Sequence, residues 1–170
     1  VESSAARPSM GSGSVGAVAP SNSEATKKQT LNSQIQETFD LLAKQKSEHG
    51  PEHISVASTL FNLAVLYRKS NDVARAIDHV QQALKIQKST LNLSDACKSL
   101  HFMADMHSRE KQYQAALSCY LESQRLQEAV FGYFHEETAN TLNRIGNVRA
   151  RQGEFDLAME NHKEALRILK

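Results

Sequence analysis

Three stretches of this 170-residue chain repeat one another at a near-constant step, and that repetition constrains the fold more than any other feature. Leu60-x-x-Leu63-Ala64-x-x-Tyr67 with Ala76-x-x-x-Val80-x-x-Ala83-x-x-Ile86 is the first unit. Leu100-x-x-Met103-Ala104 with Tyr113 and Ala116-x-x-x-Tyr120-x-x-Ser123-x-x-Leu126 falls in register 40 residues later. Leu142-x-x-Ile145-Gly146 with Phe155 and Ala158-x-x-x-His162-x-x-Ala165-x-x-Ile168 follows after a further 42. Apolar residues three and four apart line one face of a helix. Each unit is therefore a pair of helices, A and B, joined by a short turn at Ser70-Asn71-Asp72, Glu110-Lys111-Gln112 or Gln152-Gly153-Glu154. Such short connections force antiparallel neighbours. Small residues at Ala64, Ala104 and Gly146, answered by Ala76, Ala116 and Ala158, let the two helices approach.

Composition agrees with an all-α chain. Beyond Pro51 there is no proline and only Gly132, Gly146 and Gly153, whereas a sheet of many short strands needs turn residues at frequent intervals. Ala is the commonest residue, with 20, and Leu has 17, both strong helix formers. No apolar run is long enough to span a bilayer. Twenty Lys and Arg against 19 Asp and Glu leave no basic excess of the kind that binds nucleic acid. Cys97 and Cys119 do not make a disulfide framework, which points to a reducing, cytoplasmic setting.

Residues 1–29 hold seven Ser, three Gly and two Pro but no aromatic residue, too little apolar surface to offset ordering, and read as a disordered leader. The segment is Ser-rich and acid-poor like a transit peptide, but Arg7 is its only Arg. From Leu31 the pattern changes. Leu31, Ile35, Phe39 and Leu42 define an amphipathic helix over 30–49, capped by Thr30 or Asn32 and stopped at Gly50-Pro51. Three hairpins then occupy 50–91, 92–131 and 132–170.

The repeated residues resemble the tetratricopeptide repeat (TPR), whose signature places a large apolar residue, Leu, a small residue and Tyr on helix A, then Ala, an aromatic residue and Ala on helix B. His107 and Arg149 depart from the Tyr position, and Leu fills the position usually held by Trp. The 42-residue step is similar to that of kinesin light chains and nephrocystin-like proteins. So are the junctions Gly50-Pro-Glu-His53-x-x-x-Ala57-x-x-Leu60 and Gly132-Tyr-Phe-His135-x-x-x-Ala139-x-x-Leu142. The junction at Leu91-Asn-Leu-Ser-Asp95 is two residues shorter and lacks both Gly and His.

The resemblance implies an α-solenoid whose A helices line a concave groove for an extended peptide or a partner helix. Carried over residue by residue, the groove positions are Ser58, Phe61, Asn62, Val65, Arg68 and Lys69 in the first repeat. In the second they are Lys98, His101, Phe102, Asp105, Ser108 and Arg109; in the third, Asn140, Asn143, Arg144, Asn147, Ala150 and Arg151. Six cations and one carboxylate give this face a net +5 in a chain of +1, which predicts an acidic ligand. The four Asn add amides for a peptide backbone, and Phe61 and Phe102 add apolar contact. Arg68, Lys69, Arg109 and Arg151 also complement helix C-termini, which is their plain structural role; Lys98 and Arg144 have no such explanation. The resemblance further implies an adaptor for acidic cargo segments, within a motor complex by analogy only. The chaperone-tail clamp does not fit, because Phe61, Val65, Phe102 and Asn140 stand at its charged or amide positions. The alternative is a structural or regulatory arm that packs against other domains of a larger protein.

No catalytic, cofactor-binding or metal constellation emerges. Cys97, His101 and Asp105 share a helical spacing with His107 near, yet a closed zinc site needs four ligands and no second pair lies at motif spacing. No nucleophile elbow, phosphate loop or paired acid and base is present, so an enzyme is not expected. The last helix B carries Ala158, Leu166, Ile168 and Leu169 with no capping helix after it, which predicts further repeats or self-association through this end.

Overall fold

The computed structural model describes residues 22–170, with side chains from residue 26. Seven helices follow one another with no strand among the described residues: α1 (Asn22–His49), α2 (Ile54–Lys69), α3 (Val73–Ser89), α4 (Leu93–Arg109), α5 (Tyr113–Phe131), α6 (Glu136–Gln152) and α7 (Phe155–Ile168). Helices α2 and α3, α4 and α5, and α6 and α7 are the three hairpins, and each packs on the next. Most of the expected leader lies outside the described residues, but α1 begins at Asn22 rather than at residue 30. No Gly or Pro interrupts Asn22–His49, so the helix runs back beyond its apolar stripe. Thr30 lies within it, donating its hydroxyl to the Thr26 carbonyl at 2.9 Å.

Helix boundaries have local causes. The hairpin turns close on left-handed residues, Asn71 (φ 63°), Lys111 (φ 59°) and Gly153 (φ 86°). In the long junctions, Gly50 and Gly132 take positive φ, and His53 and His135 then cap α2 and α6. Each cap accepts through Nδ1 the N–H of the residue two ahead, Ser55 at 3.3 Å and Glu137 at 3.2 Å. This explains the Gly-x-x-His spacing. The short junction solves the same problem with Leu91 at φ 56° and Asn92 as cap, its side chain accepting from the Asp95 N–H.

The core runs through the stack. Leu60, Leu63, Leu100, Met106, Tyr120 and Ile145 are buried, each stabilising the fold by roughly 1.5–3 kcal/mol. Ala64, Ala76, Ala104 and Ala116 have no exposed surface, as close helix crossings demand. At Gly146 a Cβ would sit 2.8 Å from the His162 ring and 3.1 Å from the Ala158 carbonyl.

Helix α1 is itself a B helix. Leu31, Ile35, Leu42 and Gln45 stand in register with Val73, Ile77, Leu84 and Gln87 of α3, again 42 residues on. The Gln position makes the same bond three times. Gln45 accepts from Thr59 at 2.7 Å, Gln87 from Ser99 at 2.8 Å, and Gln127 from Thr141 at 2.7 Å, each joining a B helix to the next A helix. Gln87 and Gln127 are buried, so these bonds satisfy groups that would otherwise be costly.

Candidate functional site

Contacts between successive A helices join α2, α4 and α6 into one face. The Phe61 and Phe102 rings lie 5.3 Å apart, and the Arg68 guanidinium sits 4.5 Å from the Phe102 centroid. His101 meets Thr141, Asp105 meets Arg144, and Ser108 meets Arg151. Partners advance together along α4 and α6, and α2 reaches α4 through two short connections and α3, so the A helices run parallel and their C-termini share one edge. Arg68, Lys69, Arg109 and Arg151 occupy last turns of these helices. The first turns carry Asp95, Glu136 and Glu137. The face is therefore basic along one edge and acidic along the other.

This alters the charge reading. Lys98 and Arg144, the two cations that helix dipoles did not explain, both have carboxylate partners. Lys98 Nζ is 2.9 Å from Asp95, whose carboxyl this bond holds below its usual range. Arg144 donates to both oxygens of Asp105 at 3.1 and 3.2 Å, and Asp105 also accepts from the Tyr120 hydroxyl. Burial and that carboxylate push the Tyr120 pKa upward. Arg151 donates to Ser108 at 2.9 Å. Lys69 and Arg109 are exposed and have no ion-pair partner among the described residues.

The remaining positions divide. Ser58, Asn62, Asn140 and Asn147 are exposed; Phe61, Val65 and Ala150 are half-buried. Ser58, Phe61, Asn62, Gln87, Asp95 and Lys98 line a recess of about 220 Å³ between the first two repeats. Asn143 Oδ1 is 3.1 Å from His162 Nδ1, which occupies its amide. Phe102 is buried beneath Arg68 and Phe61 and supports the face from below.

His101 is not a free groove contact. Its Nε2 lies 2.9 Å from the hydroxyls of Thr141 and Ser123, tying α4 to α5 and α6. Burial, with Arg144 nearby, lowers its pKa to about 4. Cys97 directs its thiol to the Ser123 carbonyl and Asp105 is engaged by Arg144 and Tyr120, so neither converges with His101 on a common point. Among the described residues no three His, Cys, Asp or Glu side chains are placed to share a metal ion. No described helix is long and apolar enough to cross a membrane.

The tetratricopeptide repeat family model matches residues 40–89 and 95–170. No curated protein matches the sequence. Among solved structures, a Podosopora anserina protein described as a kinesin light chain with nearly identical TPR-like repeats aligns at 19% identity and a TM-score of 0.70, over 84% of this chain and 68% of that one. BtubC (BKLC) from P. vanneervenii aligns at 15% identity and a TM-score of 0.72, over 82% of this chain and 57% of that one. MamA aligns at 16% identity and a TM-score of 0.58, over 85% and 72%. These likenesses establish the shape of the solenoid. Two matched segments that together take in most of the chain, on hairpins whose small residues, caps and register all repeat, make this chain a member of the tetratricopeptide-repeat family, with a solenoid of the kinesin light chain-like type.

Proposed function

We propose that this protein is a non-catalytic interaction scaffold whose A-helix face takes an acidic, extended peptide segment. The observation that carries this reading is the basic edge. Arg68, Lys69, Arg109 and Arg151 lie on three parallel helices at the same end, and a row of like charges focuses potential toward an anionic ligand. Asn62, Asn140 and Asn147 lie exposed on the same face and can both donate to and accept from a peptide backbone. The recess at Phe61 and Asn62 is the place for an apolar anchor.

Lys98 is held only by an exposed ion pair worth about 0–1 kcal/mol, so a ligand carboxylate can take it from Asp95. Arg144 is fixed by Asp105 and serves mainly to position the second repeat on the third. Peptide-display selection on the intact chain tests the reading. Acidic sequences should be enriched and should bind more weakly as salt rises. Arg109→Glu with Arg151→Glu should weaken them by about tenfold or more, while Arg144→Gln should act chiefly on stability. Enrichment of basic or neutral sequences, or indifference to the double charge reversal, would overturn it and favour a purely structural arm.

A further inference from the structure

Helix α1 departs from the other B helices in one respect. α3, α5 and α7 each follow a short turn, ending at Asp72, Gln112 and Glu154. In the register that aligns Gln45 with Gln87, the matching turn would end at Thr30, and α1 runs straight through that position as helix from Asn22. Its leading turns therefore extend past the point at which an A helix would fold back. The side chains on that flank differ accordingly. Where α3 turns Ala76 and Val80 to its own A helix, α1 has exposed Gln34 and half-buried Thr38.

The result is an open trough between α1 and the C-terminal half of α2. Its larger part, about 580 Å³, has Lys27, Leu31, Gln34 and Lys69 on its walls. Its smaller part, about 320 Å³, has Gln34, Thr38, Asn62, Val65, Leu66 and Lys69. Gln34 and Lys69 border both parts, and Asn62 also borders the recess at Phe61, so the path from that recess to Lys27 is unbroken. Half-buried Leu31, Val65 and Leu66 supply its apolar surface. Lys27 and Lys69 are exposed and have no ion-pair partner among the described residues. Glu37, the carboxylate on its wall, accepts from the Ser33 hydroxyl at 2.9 Å.

On the reading of the A-helix face as a site for an acidic peptide, we propose that the same segment continues into this trough, setting a second apolar residue against Leu31, Val65 and Leu66 and its flanking carboxylates on Lys27 and Lys69. Charge favours this occupant. Lys27 shares the trough with Lys69 and so extends by one helix the basic row of Arg151, Arg109 and Lys69. Hydrogen bonding favours an extended chain over a helix. The amides of Gln34 and Asn62 can bond backbone groups that an extended segment exposes and a helix keeps for itself. Thr38 donates to the Gln34 carbonyl at 2.6 Å and keeps its lone pairs for a ligand N–H. Asn62 and Lys69 stand seven residues apart on α2, roughly 10 Å, which an extended chain covers in about three residues. The ligand is thus an acidic segment with two apolar residues about three apart. Residues 1–21, whose only charged side chains are Glu2 and Arg7, contain no such segment.

Acidic peptides selected on the intact chain test this. Alanine scans of the peptides should show two sensitive apolar positions about three residues apart. Lys27→Glu, at an exposed residue, should weaken binding by about fivefold or more, whereas Lys163→Glu, the same change of charge on α7, should leave it unchanged. Leu31→Gln should remove the sensitivity at one of the two apolar positions and keep it at the other. Acidic peptides that respond to Arg109→Glu with Arg151→Glu yet ignore both Lys27→Glu and Leu31→Gln would overturn this inference alone. A bound peptide that turns helical by circular dichroism would give the trough to a partner helix and overturn it too. Enrichment of basic or neutral sequences would overturn it together with the reading of the face.

Discussion

His101 shows how a position read from a repeat signature acquires a different role once its neighbours are known. It stands on an A helix at a position where the repeat signature leads one to expect a groove contact, yet it is spent on holding three helices together through Thr141 and Ser123. Its pKa falls from 6.5 to about 4, chiefly through burial and then through Arg144, so the folded chain resists protonation there. The unfolded chain binds that proton below about 6.5. Between the two values the unfolded state holds more protons, and stability must fall as pH falls from about 6.5 to about 4. The loss attributable to His101 is roughly 3 kcal/mol across that window. Urea unfolding at neutral pH and near the lower limit should show it. In His101→Gln, which keeps an amide for the hydroxyls, the acid loss should shrink. A remainder is expected from His79, whose pKa burial also lowers beside Tyr67 and Phe39. An unchanged acid limb in His101→Gln would show that the ring is not the titrating group.

At the scale of the hairpin, the crossing of α6 and α7 is tuned by one missing methyl group. Ala64 and Ala104 fill the equivalent position in the first two repeats, but at Gly146 the His162 ring has taken the space. Gly146→Ala should gain up to about 1 kcal/mol of helix propensity and lose about 1–3 kcal/mol to overpacking, for a net destabilisation. In a His162→Ala background the clash with the ring disappears, and the same substitution should become neutral or stabilising. The change of sign, read from paired thermal unfolding curves, is the test. The hairpins, their small crossings and their turns were legible in the sequence because each is a periodic demand on residue size. The B-helix identity of α1 was legible too, in Gln45 repeating at Gln87 and Gln127, but only with the role of that Gln in hand. The charge state of the face was not. The Asp105–Arg144 pair joins residues 39 apart on separate helices, and counting face positions tallies charges without saying which are already neutralised. Lys98 with Asp95, three apart on one helix, is the pair that spacing could have announced.

Across the whole molecule, burial is uneven in a way that predicts where it opens. One apolar cluster runs from Leu42 on α1 to Val148 on α6, while Ala139, Leu142 and Ala165 form a small separate one against Ile168. Only Ala158 and Ala165 of α7 are buried, against nine residues of α4. A solenoid's stability is close to a sum of unit and nearest-neighbour terms, so the two end helices, α7 and α1 with Leu42 as its one buried residue among those described, should open first. Native-state hydrogen exchange should find α7 amides exchanging through a low-energy opening, with α4 and α5 amides exchanging only on global unfolding. Protection of α7 equal to that of α4 would mean that the last hairpin is coupled to the stack more tightly than its two buried alanines allow.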